Sequence, residues 1–314
     1  MKALNRLSPR QLVRRFAPTL GDTPAFRLQH SGGAPSGSWR ARRSMGSLGR
    51  LGNLEVRLAA SPAEIRRAQA LRYRIFYEEM AAIPNMRARE TRRDADSFDN
   101  ICDHILVLDR ANLCRPLLRQ HPEIVGTYRL LRQAVAERHH GFYSAGEFEI
   151  EPLVARHRKL RFLELGRSCV LEPYRNKRTI ELLWHGIWAY VLIHGIDVMI
   201  GCASLEGTDP DRLALPLSFL HHTARAPNEW RVTALEGRRV EMDRMPLAAI
   251  DMKAALRTLP PLIKGYLRVG AFVGDGAVVD YQFGTTDVCI IMPVASINAR
   301  YVGYYGPDAS RYAS

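Results

Sequence analysis

The sequence predicts an α+β (mixed α/β) fold, in which a central mixed sheet of about seven strands is flanked by helices. Two observations indicate this fold. Residues 54–131 contain three strand-like segments with one strong helix among them, which is typical of a meander. Residues 162–204 then form a strand, a charged loop, a long apolar helix and a returning strand. This second pattern is a βαβ unit, and a basic loop that opens its helix is suited to holding a phosphate group.

The first elements are identified by alternation and by a helix-capping signal. Residues 54–58 alternate as a half-buried strand should. Ser61-Pro62-Ala-Glu64 then predicts the start of a helix, because serine caps it and proline fits its first turn. The polar residues 85–100 are interpreted as a loop.

The later elements follow the same rules. Thr208-Asp209-Pro210 predicts a helix with a leucine stripe, and Pro260-Pro261 predicts another over 259–268. The long helix of the central unit is expected over 179–194. The remaining strands are expected at 104–109, 124–131, 162–171, 197–204, 277–281 and 287–293.

The charge of the chain is concentrated at its N-terminus. The 314 residues carry a formal net charge of +13, and residues 1–50 hold ten of the 45 basic residues but one of the 32 acidic ones. Residues 51–314 therefore hold 35 basic and 31 acidic residues, so the body is nearly neutral. We interpret residues 1–52 as a basic flexible N-terminal tail and 53–314 as one globular domain. The tail is either a plain disordered segment or a membrane-surface segment, because a short basic amphipathic pattern surrounds Leu12 and Phe16.

The cysteines and histidines of the sequence favour a protein of a reducing compartment without a metal site. The five cysteines show no paired spacing, and the ten histidines show no zinc-ligand spacing, so we predict free thiols and no metal site. No secretory signal is visible, and the apolar run 180–196 contains Glu181 and is too short to span a bilayer. We expect a cytoplasmic protein, with peripheral contact at the inner face of the membrane as an option for the tail.

Several motifs together resemble the GNAT superfamily of N-acyltransferases. One similar branch is the acyl-homoserine-lactone synthases, through Asp96-Ser-Phe-Asp99, Gly126-Thr-Tyr-Arg-Leu-Leu131 and Glu164-Leu-Gly-Arg167. A second branch, the L-ornithine Nα-acyltransferases of ornithine-lipid synthesis, looks similar over nearly all of 54–305. Its motifs here are Glu164-Leu-Gly-Arg167, Pro173-Tyr-Arg-Asn-Lys-Arg-Thr179, Pro261-Leu-Ile-Lys-Gly-Tyr-Leu267, Asp280-Tyr-Gln-Phe283 and Thr286-Asp287. Chain length and Arg132, which stands where the synthases usually have proline, favour the second branch.

The second resemblance implies transfer of a 3-hydroxyacyl group from acyl carrier protein to the α-amine of L-ornithine, giving lyso-ornithine lipid. No bound cofactor is expected, since the donor is the acyl-phosphopantetheine of the carrier. GNAT loops for coenzyme A usually contain glycines, and this loop has none, which favours the single phosphate of a carrier. The expected phosphate-binding residues are Arg175, Lys177, Arg178 and Thr179.

Amine attack on a thioester requires a base and donors for the developing oxyanion. Glu164 is the candidate base, through water, because a carboxylate within a buried strand is costly unless it has a role. A bulge at Gly166 would bring Arg167 to the same site as Glu164. A structural ion pair between Glu164 and Arg129 is the competing interpretation.

The acceptor carries a carboxylate and a second amine. Arg129 or Arg167 could hold the carboxylate, and the candidates for the side-chain ammonium are Asp96, Asp99, Asp280 and Asp287. Loop capping or turn formation is the alternative role of each aspartate.

Three alternatives to this function stay open from the sequence. One keeps the acyltransferase and replaces ornithine by another amino-acid acceptor, and one is an enzyme similar to an acyl-homoserine-lactone synthase. The third is a basic protein that binds membrane or nucleic acid, although no groove-reading motif or basic–aromatic face supports nucleic acid as a partner.

Overall fold

The computed structural model describes residues 46–80, 82–111 and 122–297. The predicted tail lies almost wholly outside these residues, apart from a strand that begins at Ser47. The chain divides into two compact units. The N-terminal unit comprises the described residues up to 141 together with 163–197, and the C-terminal unit comprises 142–162 and 198–297.

The N-terminal unit contains five strands in sequential order, and the pairings between successive strands of this group are antiparallel. The first helix of this unit begins at the expected cap, where the Ser61 side chain accepts a hydrogen bond from Glu64 N. The strands are β1 (Ser47–Leu51), β2 (Leu54–Leu58), β3 (Asp103–Asp109), β4 (Glu123–Arg132) and β5 (Phe162–Val170). The helices are α1 (Pro62–Tyr73), which continues as a π-helical turn over Arg74–Glu79, α2 (Met86–Thr91), α3 (Gln133–Ala136) and α5 (Lys177–His194).

Helix α5 packs on strands β1 to β4, and this contact forms the core of the unit. Leu182 and Ile187 on its inner face are fully buried. The approach to β2 is close enough to require a glycine, because a Cβ at Gly186 would lie 2.6 Å from Val56 Cγ2. Burial of this apolar face holds the preceding loop, residues 171–176, at the end of β5.

The C-terminal unit contains four strands in the order β6-β9-β8-β7, again with antiparallel pairings. The leucine-striped helix α6 starts at Ala214, later than the sequence signal at Thr208 suggested, because residues 209–213 form a turn first. Its strands are β6 (Val198–Glu206), β7 (Arg239–Val240), β8 (Phe272–Asp280) and β9 (Thr285–Pro293), and its helices are α4 (Ile150–Arg156), α6 (Ala214–Ala224), α7 (Met252–Thr258) and α8 (Pro261–Val269).

The predicted fold class is confirmed, with corrections in detail. The described residues form nine strands rather than about seven, since the two-residue β7 is too short to give a periodic signal and β1 lies among the residues that were interpreted as a flexible tail. The predicted loop 85–100 was wrong in part, because it contains α2 and a 3₁₀ turn at Ser97–Asn100. Cys102, Cys169, Cys202 and Cys289 are free, as predicted; Cys114 lies outside the described residues. Within the described part of the chain, no helix is long and apolar enough to cross a membrane.

Candidate active site

A β-bulge in β5 shapes the candidate site of the N-terminal unit. Thr127 is opposite Cys169 and Arg129 is opposite Gly166, so β5 contains one more residue than β4 over this interval. The bulge was predicted at Gly166, but Arg167 adopts the left-handed conformation with φ 50°. That conformation costs an L-residue about 1 kcal/mol, which the contacts of the side chain must offset.

Glu164 and Arg129 lie on the same face of the sheet. Gly166 is opposite Arg129 and Glu164 is opposite Leu131, so these positions share one side of the β4–β5 pair. His104 is opposite Arg129 on the other neighbouring strand and shares the same face. Glu164 is 4% exposed, which is the buried mid-strand carboxylate that the sequence indicated.

Three arginines and three aspartates form a buried ion-pair cluster in this unit. We call it the arginine–aspartate cluster; its members are Arg72, Arg129, Arg167, Asp94, Asp96 and Asp99. Equal numbers of the two charges are present, as burial of ions requires. The bulge serves this cluster, because it places Arg167 within 3.4 Å of Asp96 and 3.3 Å of Asp94.

Asp99 is the most tightly held acid of the cluster. It is 1% exposed, and Arg72 Nη2 donates to both of its oxygens at 2.8 Å. Burial alone would raise the pKa of Asp99, but the charges of Arg72 and Arg129 outweigh burial and lower the pKa to about 2. Gln69 Nε2 donates to the same carboxylate at 3.0 Å. Asp99 is thus a fully ionised, fully bonded anion at neutral pH.

Asp96 and Arg167 occupy the more open side of the cluster. Arg129 Nη1 lies 2.6 Å from Asp96 Oδ1, and the Asp96 side chain is 27% exposed. Asp96 also caps the 3₁₀ turn by accepting from Phe98 N at 2.9 Å, which is the capping role foreseen as its alternative. Arg129 itself is 4% exposed, whereas the side chain of Arg167 is 15% exposed.

Arg72, Asp94 and His104 are members of this site that the sequence did not indicate. His104 Nε2 lies 2.9 Å from Asp99 O, so this nitrogen donates to the carbonyl. Burial lowers the pKa of His104 to about 4, and the ring is therefore neutral at physiological pH. Arg72 lies four residues after Ala68 and four before Phe76, on the apolar stripe of the predicted helix, and that position was the signal available in the sequence.

The basic loop at the start of α5 lies after β5 as predicted, but its helix begins earlier than expected. Asn176 caps α5 by accepting from Thr179 N at 3.2 Å. Thr179 is consequently buried, and both its N–H and its hydroxyl are directed to Asn176 Oδ1. Lys177 is 81% exposed at its side chain, and Arg175 donates to Val170 O and to Glu79.

A second polar group lies in the C-terminal unit and contains Asp287. Donor atoms of Glu147, Cys202 and Asp287 all lie within 4.8 Å of one another, and Cys202 Sγ is 3.4 Å from Glu147 Oε2. Burial and then the negative charge of Asp287 raise the pKa of Glu147 to about 7. We call these three residues the acidic pocket group; the sequence indicated Asp287 and missed Glu147.

Asp280 lies at the end of β8, and its Oδ1 accepts from Gln282 N at 2.8 Å and Phe283 N at 3.0 Å. This is the turn role foreseen as its alternative. The Asp280 charge also contributes to the raised pKa of Glu147. The acidic pocket group has a donor set that could hold a metal ion. Another such set in the described residues consists of His221, His222 and Asp243, and no ligand spacing in the sequence indicated it.

A family match and two curated relatives of this chain agree with each other. An acetyltransferase (GNAT) domain family matches residues 71–185. The L-ornithine N(alpha)-acyltransferase of Rhizobium meliloti (strain 1021) is 58% identical over 85% of this chain and 89% of its own length. The enzyme of the same name from Brucella abortus (strain 2308) is 56% identical over 84% of this chain and 93% of its own. The solved structure of the acyl-homoserine-lactone synthase LasI is a remote neighbour, with a TM-score of 0.40 and 10% identity over 78% of this chain and 95% of that chain.

Proposed function

Because the chain belongs to the family of L-ornithine N(alpha)-acyltransferases, we propose that it acylates the α-amine of L-ornithine with a 3-hydroxyacyl group from acyl carrier protein. The product would be lyso-ornithine lipid. The observation that carries the proposal is the identity of 58% over 85% of this chain and 89% of the relative's own length. The family and the GNAT domain make the chain an acyltransferase, and the predicted resemblance to this family is confirmed.

Glu164 is the proposed general base, acting through a water molecule. The α-amine nitrogen bonds to the thioester carbonyl carbon and loses a proton through water to Glu164. The carbon–sulfur bond then breaks, and the carrier's thiolate leaves and is protonated. The buried position of Glu164, on the face that carries Arg129 and His104, supports this role. His104 is neutral at physiological pH, because its pKa is about 4.

Arg167 is the proposed partner of the acceptor carboxylate. Its side chain is more exposed than that of Arg129, whose Nη1 lies 2.6 Å from Asp96. A guanidinium binds a carboxylate through two parallel hydrogen bonds, which would also fix the acceptor's orientation. Arg129 is then proposed to hold the cluster that positions Arg167.

The acidic pocket group, which contains Asp287, is proposed as a cation-binding group of the C-terminal unit, whereas Asp96 and Asp99 are not proposed to bind an ammonium. The latter two are already neutralised by arginines of the cluster. The acidic pocket group contains two carboxylates, and Arg238 lies 3.4 Å from Glu147. The positive charge of an ammonium group would favour the ionised form of both carboxyl groups. Asp280 is proposed to contribute its charge to this group.

The donor's phosphate is proposed to lie at the loop before α5. Lys177 and Arg178 are exposed in the first turn of this helix, and Arg175 precedes them. These cations, with the N-terminal N–H groups of the helix, form an anion site of the size of one phosphate. Thr179 is proposed to shape this turn through its contact with Asn176 rather than to contact the phosphate.

The proposal is tested by an acyl-transfer assay with 3-hydroxyacyl carrier protein, a panel of free amino acids, and mass spectrometry of the product. N-acylated ornithine is expected. Transfer to another amino acid would keep the acyltransferase and replace the acceptor. Transfer from the matching coenzyme A thioester at equal kcat/KM would contradict the carrier-protein donor.

Replacement of the base gives the first mutational prediction. Glu164→Gln is expected to lower kcat by about 10²- to 10⁴-fold, because the amine can no longer transfer its proton. Glu151→Gln, at an exposed carboxylate on α4, is the matched control and is expected to retain activity. Unchanged kcat in Glu164→Gln, with the folded state verified by circular dichroism, would remove Glu164 from the mechanism.

A further inference from the structure

Large apolar side chains are unusually exposed in the segment of residues 80–93. Met80 is 56% exposed, Ile83 is 62% exposed and Met86 is 77% exposed. Within the described ranges, seven large apolar residues are exposed, and three of them fall in this short stretch. Single exposed apolar residues are ordinary, but a local group of them marks a surface that contacts something apolar.

The backbone of this segment is held in place where the structure describes it. Ala82 N donates to Phe76 O at 2.9 Å, and Asn85 caps α2 by accepting from Ala88 N at 2.8 Å. Ala82 and Ala88 are buried at 4% and 5% exposure, so they anchor the segment beneath its surface. The apolar side chains therefore project from a fixed surface, which lowers the entropy cost of inserting them into a partner.

Positive charge surrounds these apolar side chains. Residues 80–93 contain four arginines and one acid, Glu90. Arg92 pairs with Glu78, at the end of the preceding π-helical turn. Arg87 and Arg89 are exposed and make no ion pair with any residue that the structure describes. Among the nearby acids, Glu79 is engaged by Arg175 and lies 3.9 Å from Arg74.

We propose that segment 80–93 docks the protein on an anionic phospholipid bilayer. A bilayer offers both an apolar phase for Met80, Ile83 and Met86 and surface negative charge for the arginines. Nucleic acid would satisfy the arginines and leave the three apolar side chains without a partner. The inference goes beyond the proposed function. It also assigns membrane contact to the folded body rather than to the basic tail.

The test measures binding of the full chain to sedimented vesicles, without acyl donor or acceptor. Vesicles of phosphatidylglycerol with phosphatidylethanolamine are compared with neutral phosphatidylcholine vesicles at physiological and high salt. The wild-type chain is expected to bind the anionic vesicles, and its partition constant should fall as salt screens the arginines. Failure of the wild-type chain to bind anionic vesicles at physiological salt would overturn the proposal, whatever the result of the acyl-transfer assay.

Two variants separate the apolar from the electrostatic contribution. The triple variant Met80→Ser, Ile83→Ser, Met86→Ser is expected to lower the partition constant about tenfold or more, because each removed side chain forfeits burial in the bilayer. Arg87→Gln with Arg89→Gln is expected to lower it several-fold at low salt and little at high salt.

Matched control variants test whether the loss of vesicle binding is specific to segment 80–93. Ile193→Ser and Leu247→Ser remove apolar side chains that are 48% and 45% exposed, and Arg158→Gln with Lys159→Gln removes two exposed charges. All of these are expected to bind vesicles within twofold of wild type. Wild-type vesicle binding by the triple serine variant would overturn the proposal and transfer membrane contact to the tail. DNA-duplex binding as tight as vesicle binding, and unchanged in that variant, would overturn it as well.

Discussion

The arginine–aspartate cluster and the acidic pocket group are both buried and both built from carboxylates, yet their acids behave in opposite ways. The pKa of Asp99 is lowered to about 2, and that of Glu147 is raised to about 7. Asp99 is 1% exposed and Glu147 is 6% exposed, so the depth of burial does not distinguish them. The distinguishing factor is the counter-charge, because Arg72 and Arg129 face Asp99 while Glu147 faces a second carboxylate, Asp287.

This difference indicates distinct tasks for the two groups. A neutralised cluster is rigid and holds the strands and loops around Glu164 at fixed positions. The pKa of Glu147 is raised partly by the negative charge of Asp287, and a cation that enters would offset the repulsion between the two carboxylates. The cluster is therefore suited to positioning, and the acidic pocket group is suited to recognition of a positively charged group.

Removal of a cluster arginine should have the largest effect on stability. Arg72→Met leaves Asp94 and Asp99 buried without their main partner, and we expect the free energy of unfolding to fall by about 3–5 kcal/mol. Urea denaturation at pH 7 measures this loss. Arg158→Met, at an exposed site, is the control and should change stability by less than about 0.5 kcal/mol. A loss below 1 kcal/mol in Arg72→Met would show that the cluster does not hold the fold.

Neutralisation of Glu147 should stabilise the protein at high pH. The pKa of Glu147 is about 7 in the folded chain against a reference value of 4.5, so the wild type loses stability as pH rises from 4.5 to 7. Glu147→Gln removes that loss, and its stability relative to wild type should increase by roughly 3 kcal/mol between pH 4 and pH 8. Denaturant unfolding at these two pH values measures the change. If the free energy of unfolding of Glu147→Gln differed from that of wild type by the same amount at pH 4 and at pH 8, this result would contradict the raised pKa of Glu147.

Neutralisation of Asp99 should have a pH dependence of the opposite sign. The pKa of Asp99 is about 2 in the folded chain against 3.8, so its contribution is complete above pH 4 and is lost as pH falls through 2. Asp99→Asn is expected to lower the free energy of unfolding, and the part of this decrease that depends on pH should be roughly 2 kcal/mol. Wild type and variant should therefore approach each other in stability on acidification, which acid-titrated circular dichroism would show. If the stabilities of wild type and variant moved further apart on acidification, this result would contradict the lowered pKa of Asp99.

Removal of an exposed charge should leave stability almost unchanged. Lys177 lies 3.6 Å from Glu181 with its side chain 81% exposed, and such surface pairs contribute about 0–1 kcal/mol. Lys177→Gln is expected to raise KM for the acyl carrier donor with little change in kcat, since the lysine is proposed to attract phosphate. Lys159→Gln is the control outside the loop. A change in kcat with constant KM would contradict a role in donor binding.

The candidate residues were predictable where a local rule applies to them. Glu164 stands out because a carboxylate in an apolar strand is rare, and the basic loop stands out because it opens an apolar helix. Asp96 was indicated with both a binding and a capping role, and the capping contact is present. The bulge was expected from Gly166, but Arg167 takes the strained conformation because its side chain gains Asp94 and Asp96 as partners.

The fold class, the order of most elements and the family were predictable from the amino-acid sequence, because each depends on periodicity or on residues close together in the chain. Which charges neutralise each other became apparent only in the folded chain. Arg72 meets Asp99 from 27 positions away, and Cys202 meets Glu147 from 55 positions away. The electrostatic energy depends on distances and burial that no local pattern encodes, so the opposite pKa values of two buried acids emerge only when the chain has folded.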